Sequence, residues 1–420
     1  MDNQTYHLIC IGAGAAGYFG ALNFAQAAQQ KFSRKPKTLI LESTTKTLTK
    51  VRISGGGRCN ITNREEDPQE LIKNYPRGSK SLLNAFYSFG PTQMKIWLSE
   101  NGLEFKTEND GRVFPQTNSS QSVIDLFHKL AQRYEVELQT SSKIINIFPP
   151  EKENDLWKIS CQGQDYYCQN LLIATGSSRS GHNLAKTLGH KITELAPSLF
   201  SFKLNKCLFS KLPGISKQDV LLKMKLNGKK LSQQGPVLIT HWGISGPAII
   251  KLSAFGAREF ATGKYQAELK IDWTPEINEE QMYQELKSLQ KSQPKKNIEN
   301  ISFHELPKRL WHAFLKETEI LNSILGEIKD KQLRALCQLI KQQIVQIQGK
   351  GEFKEEFVTC GGVDLKDVDL NTFESKIHSN LYFAGEVLDV DALSGGFNFQ
   401  NAWTGSYLAS QNMIEKLDSL

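Results

Sequence analysis

Apolar residues follow one rhythm through residues 1–190 and another beyond them. In the first part, short apolar runs at 6–11, 38–42, 135–148 and 170–174 read as strands. Between them, 15–30, 79–88, 91–101 and 120–133 carry apolar residues at helical spacing, and Ser119 or Ser120 is placed to cap the last of these. Gly111-Arg-Val-Phe-Pro115 reads as an extended, turn-bounded segment. Strands alternating with helices predict an α/β layer on a parallel sheet. After residue 192 the period falls to two, at 199–204, 219–226, 236–240 and 265–271, with turns at Pro213-Gly214 and Asn227-Gly228. Asn-Gly between apolar runs is a hairpin signal, and the segment reads as a small β-barrel. At Asp272-Trp-Thr-Pro-Glu276 the rhythm changes again. Thr274 as N-cap, Pro275 at the first helical position and acids behind it predict a helix start, with helical period to about residue 345 and strand character near 352–359. The expected fold is α/β: a two-part Rossmann-like cofactor domain with an inserted β-barrel and a small helical insert. Its segments are 1–192 (first part), 193–272 (barrel), 273–345 (helical insert), 346–358 (a returning β segment) and 359–420 (second part).

The strand at 6–11 runs directly into Gly12-x-Gly14-x-x-Gly17. In this context the three glycines allow a tight turn, close approach of backbone to a pyrophosphate, and close helix–strand packing. Helix N-terminal N–H groups then meet the phosphates. The second strand ends in Glu42, an acid suited to an adenosine ribose, although it lies 25 residues beyond Gly17, later than the usual spacing. Leu171-Leu-Ile-Ala-Thr-Gly176 is a buried strand ending in a glycine turn. The same arrangement recurs near the C-terminus, where an apolar strand leads to Ala384-Gly385-Glu386 and then to Gly395-Gly396 before a helix-compatible run, 398–414. A cofactor motif at each end of the chain suits a flavin adenine dinucleotide, whose two halves lie on opposite sides of the sheet.

Two further stretches bear chemistry. Ser54-Gly-Gly-Gly-Arg-Cys-Asn-Ile-Thr-Asn63 suits backbone passing close to a flat ligand, with Arg58, Asn60 and Asn63 as donors; Cys59 has no Cys or His beside it to make it a redox centre. Thr240-His-Trp-Gly-Ile-Ser-Gly-Pro247 is a glycine-shaped turn whose His241, Trp242 and Ser245, with Arg58, are the candidate catalytic side chains. No Lys or Arg occurs from Asn380 to Asn401, so positive charge for a reduced flavin from this segment must come from the N-terminus of the final helix.

Composition narrows the class. Hydrophobic content of 39% with 23% charged residues describes a globular protein, and no apolar run is long enough to span a bilayer. Seven scattered cysteines without a C-x-x-C argue against a disulfide framework or a metal site and fit a reducing cytoplasm. The net charge of +7 is spread along the chain and reads as a solvated surface rather than a nucleic-acid patch, for which clustering on one face is the criterion.

Together these motifs resemble the bacterial family of FAD-binding proteins called HI0933-like, BaiN-like or aminoacetone-oxidase-like. The matching stretches are 12–17, 53–63, 111–115, 174–176, 240–249, 359–365 and 382–403, in that order and over nearly the whole chain. The resemblance implies an FAD-dependent oxidoreductase that moves hydride between a small organic substrate and flavin N5, with FAD held non-covalently and NAD(P)H as a transient donor. Amine oxidation and reduction of unsaturated steroid ketones are the activities it brings. An RNA-modifying flavoprotein and a non-catalytic FAD-binding protein are the competing readings. The implied cofactor contacts are Gly12, Gly14, Ala15, Ala16 and Gly17; Glu42; Ser54, Gly55, Gly56, Gly57, Arg58, Cys59 and Asn60; Ala174, Thr175 and Gly176; Gly385 and Glu386; and Gly395, Gly396, Phe397 and Asn398. The segment after Gly176, often longer and Gly/Ser/Pro-rich in the family, is shortened here to 177–183.

Overall fold

The computed structural model describes residues 5–152, 155–205, 208–351 and 358–417. The chain forms two compact units, one of residues 1–195 with 359–420 and one of residues 196–358. The expected strand near 352–359 falls mainly outside the described residues.

The first unit is built on a sheet whose five parallel strands lie in the order Leu381–Phe383, Gln164–Ile173, Thr5–Ile11, Thr38–Leu41 and Val136–Gln139. Antiparallel strands extend it, including Ile144–Phe148 and Trp157–Cys161, so the apolar stretch at 135–148 is two strands rather than one. Near-continuous burial of Tyr6 to Ile11 and of Thr38 to Leu41 is what strands covered on both faces require. The sheet's carboxyl edge is closed by a ladder. Gly12 N donates to Leu41 O (2.8 Å), Ala174 N to Ile11 O (2.9 Å), Glu42 N to Gln139 O (2.9 Å) and Ala384 N to Ile173 O (3.2 Å). Four turns separated by up to 372 positions in sequence therefore leave the sheet side by side.

Two long helices, Ala15–Phe32 and Phe397–Lys416, pack against each other in this unit through small residues. Ser406 Oγ donates to Ala16 O (2.8 Å), and a Cβ at Gly20 would meet Leu172 at 2.6 Å and Ser406 at 3.5 Å. A small antiparallel sheet of Thr62–Asn63, Arg112–Pro115 and Phe105–Thr107 completes the unit.

In the second unit, Phe202–Leu204, Gly243–Ser245, Lys229–Ile239, Ser216–Leu226, Ala267–Asp272 and Gln343–Lys350 close into a barrel, every pairing antiparallel. Asn227 and Gly228 both have positive φ (46° and 86°), the turn geometry that matches the twist of a tight hairpin. Alternation along Ser216–Leu226 puts Val220, Leu222, Met224 and Leu226 inside. The helices Glu279–Ser292, Lys308–Glu317 and Asp330–Lys341 share that core. The first of them starts later than Thr274-Pro275 predicts. Asn278 and Gln281 form a reciprocal capping box (2.8 and 2.9 Å), while Thr274 is fully buried and its carbonyl accepts from Lys341 Nζ (2.6 Å). A two-sided cap outcompetes a one-sided signal four residues upstream.

Candidate functional site

The site is assembled at the carboxyl edge of the parallel sheet. Gly12 has φ 107° and a Cβ there would lie 2.5 Å from Ala174 O; at Gly17 it would lie 1.8 Å from Gly12 O. Both glycines are thus required by the protein's own backbone. Gly14 differs: it is the N-cap of the helix Ala15–Phe32, a Cβ there meets nothing within 4 Å, no side chain caps the helix and no acid occupies its first turn. The first N–H groups of the helix, at Ala15, Ala16 and Gly17, therefore have no carbonyl partner within the helix, and beside the open Gly14 they are the donor set an anionic pyrophosphate fits. Glu42 closes one side. Its Oε2 accepts from Ala13 N (2.9 Å) and its Oε1 from Thr44 N (2.9 Å) and Thr44 Oγ1 (2.9 Å).

Ser54 is extended, and Gly55, Gly56 and Gly57 follow at φ 57°, 69° and 83°, a left-handed run that ends the short helix starting at Thr49. A Cβ on Gly55 would meet the Phe114 ring at 2.8 Å, whereas Gly56 and Gly57 face open space. Arg58 stacks its guanidinium 3.9 Å over Phe114 and pairs with Glu108 (2.6 Å), which also accepts from Arg112 (3.3 Å). This candidate catalytic cation is held by an acid and a ring. Cys59 is fully buried, and burial pushes its thiol up to about 12, so it is not a thiolate at neutral pH.

The asparagines expected to face a ligand serve the protein instead. The Asn60 amide donates to Thr62 O (3.0 Å) and accepts from Gly396 N (2.8 Å); Asn63 Nδ2 donates to Gly395 O (2.8 Å). Thr62 Oγ1 meets Gln400 Oε1 (2.6 Å) and Trp403 Nε1 donates to Ile61 O (2.9 Å). These bonds staple the 54–63 motif to the start of the final helix, more than 330 residues away in sequence. Gly395 and Gly396 have φ 141° and 91°, and a Cβ on Gly396 would strike Thr62 O at 2.4 Å. Phe397 begins the helix, its carbonyl accepting from the buried Tyr75 hydroxyl (2.7 Å), and Asn398 clamps Ala392 through both its amide atoms (2.9 and 3.0 Å).

Three further positions complete the edge. Ala174 and Thr175 carry the strand out to Gly176, at φ 59°, and a Cβ on Gly176 would pass 3.9 Å from Glu386. Thr175 Oγ1 is buried without a hydrogen-bond partner among the described residues. The shortened 177–183 segment turns at once into the helix Arg179–Thr187, capped by Ser178 Oγ, which accepts from Gly181 N (3.0 Å). Gly385 is favoured by its left-handed φ of 79°, and a Cβ there would crowd that of Ala16 at 3.1 Å. Glu386 pairs with Lys50, whose Nζ also reaches Ser177 Oγ (3.4 Å). Lys50 belongs to none of the motifs read from the sequence, and only the fold brings it to Glu386. Asp391 is fully buried in a two-pronged pair with Arg77.

His241, Trp242 and Ser245 lie in the barrel unit. His241 and Trp242 sit on the tight connection into the strand Gly243–Ser245, where Thr240 N donates to Gly243 O (2.9 Å), and Ser245 ends that strand. His241 is exposed, and Gly243 is required because its Cβ would lie 2.2 Å from Phe202 O. Among the described residues no cluster of His, Cys, Asp or Glu is arranged to hold a metal, and no helix is long and apolar enough to cross a membrane.

A sheet edge with an uncapped first helix, an acid at the second strand and glycine turns at both chain ends defines a dinucleotide-binding protein of the Rossmann class. Residues 6–412 match the model described as the HI0933-like protein Rossmann domain, and the chain belongs to this family of FAD-dependent oxidoreductases. It is 27% identical over 422 residues to the ribosomal RNA dihydrouridine synthase of Escherichia coli (strain K12), covering 98% of each chain. It is also 27% identical over 416 residues to the 3-dehydro-bile acid delta(4,6)-reductase of Clostridium scindens, covering 97% of this chain and 98% of the relative. Among solved structures, the 3-ketosteroid-delta4-(5alpha)-dehydrogenase of Rhodococcus jostii RHA1 shares the fold, with a TM-score of 0.50 at 12% identity over 97% of both chains.

Proposed function

We propose that this chain reduces a carbon–carbon double bond conjugated to a carbonyl, and that the double bond belongs to a uracil base in RNA. The observation that supports a flavin enzyme is the cradle: Gly14 opens beside an uncapped helix N-terminus at the carboxyl edge of the parallel sheet, and Gly56 and Gly57 of the 54–60 loop are open as well. Bound FAD supplies a hydride donor once it is reduced. The chain's own part is binding and orientation. The 12–17 turn and the helix start hold the pyrophosphate, and Glu42 takes a ribose hydroxyl. The 54–60 loop and Gly395-Gly396 would hold the ring, and the start of the helix Phe397–Lys416 would offer it roughly half a positive charge. Lys50, paired with Glu386, adds a side-chain cation that the C-terminal segment lacks. FAD is held non-covalently, since the motif's own thiol, Cys59, is buried and protonated. NAD(P)H delivers the electrons and departs.

The substrate follows from the two relatives, whose names describe one chemistry. Dihydrouridine is uridine with hydrogen added to a double bond conjugated to a carbonyl, and a Δ4,6 reduction of a 3-oxo steroid saturates the same kind of bond. The distribution of charge favours the RNA base. Residues 196–358 contain 25 Lys and Arg against 17 Asp and Glu, whereas the rest of the chain contains 26 against 27. The whole positive excess therefore belongs to one unit. A second reading, reduction of a free steroid-like enone, rests on the equal identity to the bile acid reductase.

The test is anaerobic incubation of the FAD-loaded protein with NADPH and either unmodified ribosomal RNA or a Δ4,6-3-oxo steroid, followed by mass spectrometry of the nucleosides or the steroid. Uridine gaining two hydrogens is expected. Saturation of the steroid alone selects the second reading. Neither product, with oxygen-dependent turnover of amines instead, overturns the proposal.

A further inference from the structure

We infer that the outer face of the barrel, centred on Lys223, Lys225, Lys230 and Lys270, is the surface on which the phosphate backbone of RNA docks. The inference rests on the RNA reading above. Strand alternation points all four side chains outward, and all four are exposed. The register then sets like charges against each other. Lys225 stands directly opposite Lys230, and Lys223 directly opposite Lys270, so three adjacent strands share one basic patch. Like charges directly opposite on a sheet oppose folding. Lysines on strands are commonly explained as guards of an open edge, but this barrel is closed and these strands have no edge to guard. Among the described residues none of the four ammonium groups has a carboxylate partner, although the neighbouring Lys229 is paired with Glu259.

Acids also border the patch: Asp272, Glu276 and Glu279 line one cavity with Lys223 and Lys270, but Glu276 lies 3.1 Å from His304 Nδ1 and Glu279 accepts from Gln342 Nε2 (3.1 Å). Asp272, at its margin, is already paired with Lys341 (2.9 Å). Glu268 lies two residues from Lys270 on the same face and among the described residues accepts from Gln346 Nε2 (3.5 Å). Ile344, directly opposite Lys270, is 52% exposed, which places an apolar surface beside the cations. A partner with regularly spaced negative charge and apolar faces matches that pairing, and a nucleic acid has both.

The experiment measures binding of a fluorescein-labelled ribosomal RNA stem-loop to the FAD-loaded full chain across a salt series. The K223Q/K225Q/K230Q/K270Q variant is compared with wild type and with K291Q/K295Q/K296Q, a control in exposed residues of the same unit. Each phosphate contact contributes about 0.7–0.9 to the slope of log affinity against log salt. The quadruple variant should therefore lose roughly three in slope and at least tenfold in affinity at low salt. Its FAD content and its reaction with NADPH, read as bleaching of the flavin absorbance, should be unchanged, which separates failure of docking from failure of the chemistry. Unchanged RNA affinity, an equal loss in the control variant, or an equal loss of binding to anionic lipid vesicles would each overturn the assignment.

Discussion

At the scale of single residues, burial decides chemistry that composition leaves open. Cys59 sits inside a cofactor motif, yet burial keeps it a thiol, and Asp391 is an interior charge held by Arg77. The same argument gives a pH dependence. His190 is 2% exposed, its Nε2 sits 2.8 Å from Ser375 Oγ, and burial lowers its pKa below the usual 6.5. The folded state therefore binds this proton less readily than the unfolded chain, where the ring is ordinary. Nothing is lost above pH 6.5, and stability falls as pH drops from 6.5 toward the lowered folded value. The denaturant midpoint should fall between about pH 7 and pH 5. His190→Gln, which can keep the bond to Ser375, should flatten that fall; an unchanged slope would remove His190 as its source.

At the scale of elements, the first helix separates two uses of glycine that look identical in Gly12-x-Gly14-x-x-Gly17. Gly17 touches its own protein, where an added Cβ would lie 1.8 Å from Gly12 O, while Gly14 faces only open space. Gly17→Ala should destabilise the fold by several kcal/mol, since overpacking of ~1–3 kcal/mol is a floor where the clash is with backbone. Gly14→Ala should leave the melting of the apoprotein close to wild type and lose FAD on gel filtration. Equal loss of stability in both variants would mean that Gly14 is structural too. The final helix obeys the same logic at its other partner: Gly396 is required by Thr62, not by any property of the helix.

At the scale of the whole molecule, the described barrel strands pair antiparallel throughout, whereas a dinucleotide-binding βαβ unit needs parallel ones. A pyridine nucleotide that reduces the flavin then has no Rossmann unit of its own among the described residues. It must use the substrate's space and leave first. Steady-state rates against NADPH at several substrate concentrations should give parallel double-reciprocal lines. Intersecting lines would show both bound at once.

Local pattern was enough for the sheet strands, the glycine fingerprint, the Asn227-Gly228 hairpin and the order of the motifs, because each depends on neighbours within a few positions. The family followed from those motifs alone. Tertiary contact was needed for the rest. The apolar stretch at 135–148 had to be split by pairing, and the start of the helix at Glu279 by a competition between two caps. Asn60 and Asn63 looked like ligand donors until the final helix, more than 330 residues on, was seen to use them. Lys50 found Glu386 only across the fold. Four lysines distant in sequence from one another or set on different strands, Lys223, Lys225, Lys230 and Lys270, share one barrel face, because strand register alone sets which residues stand opposite each other.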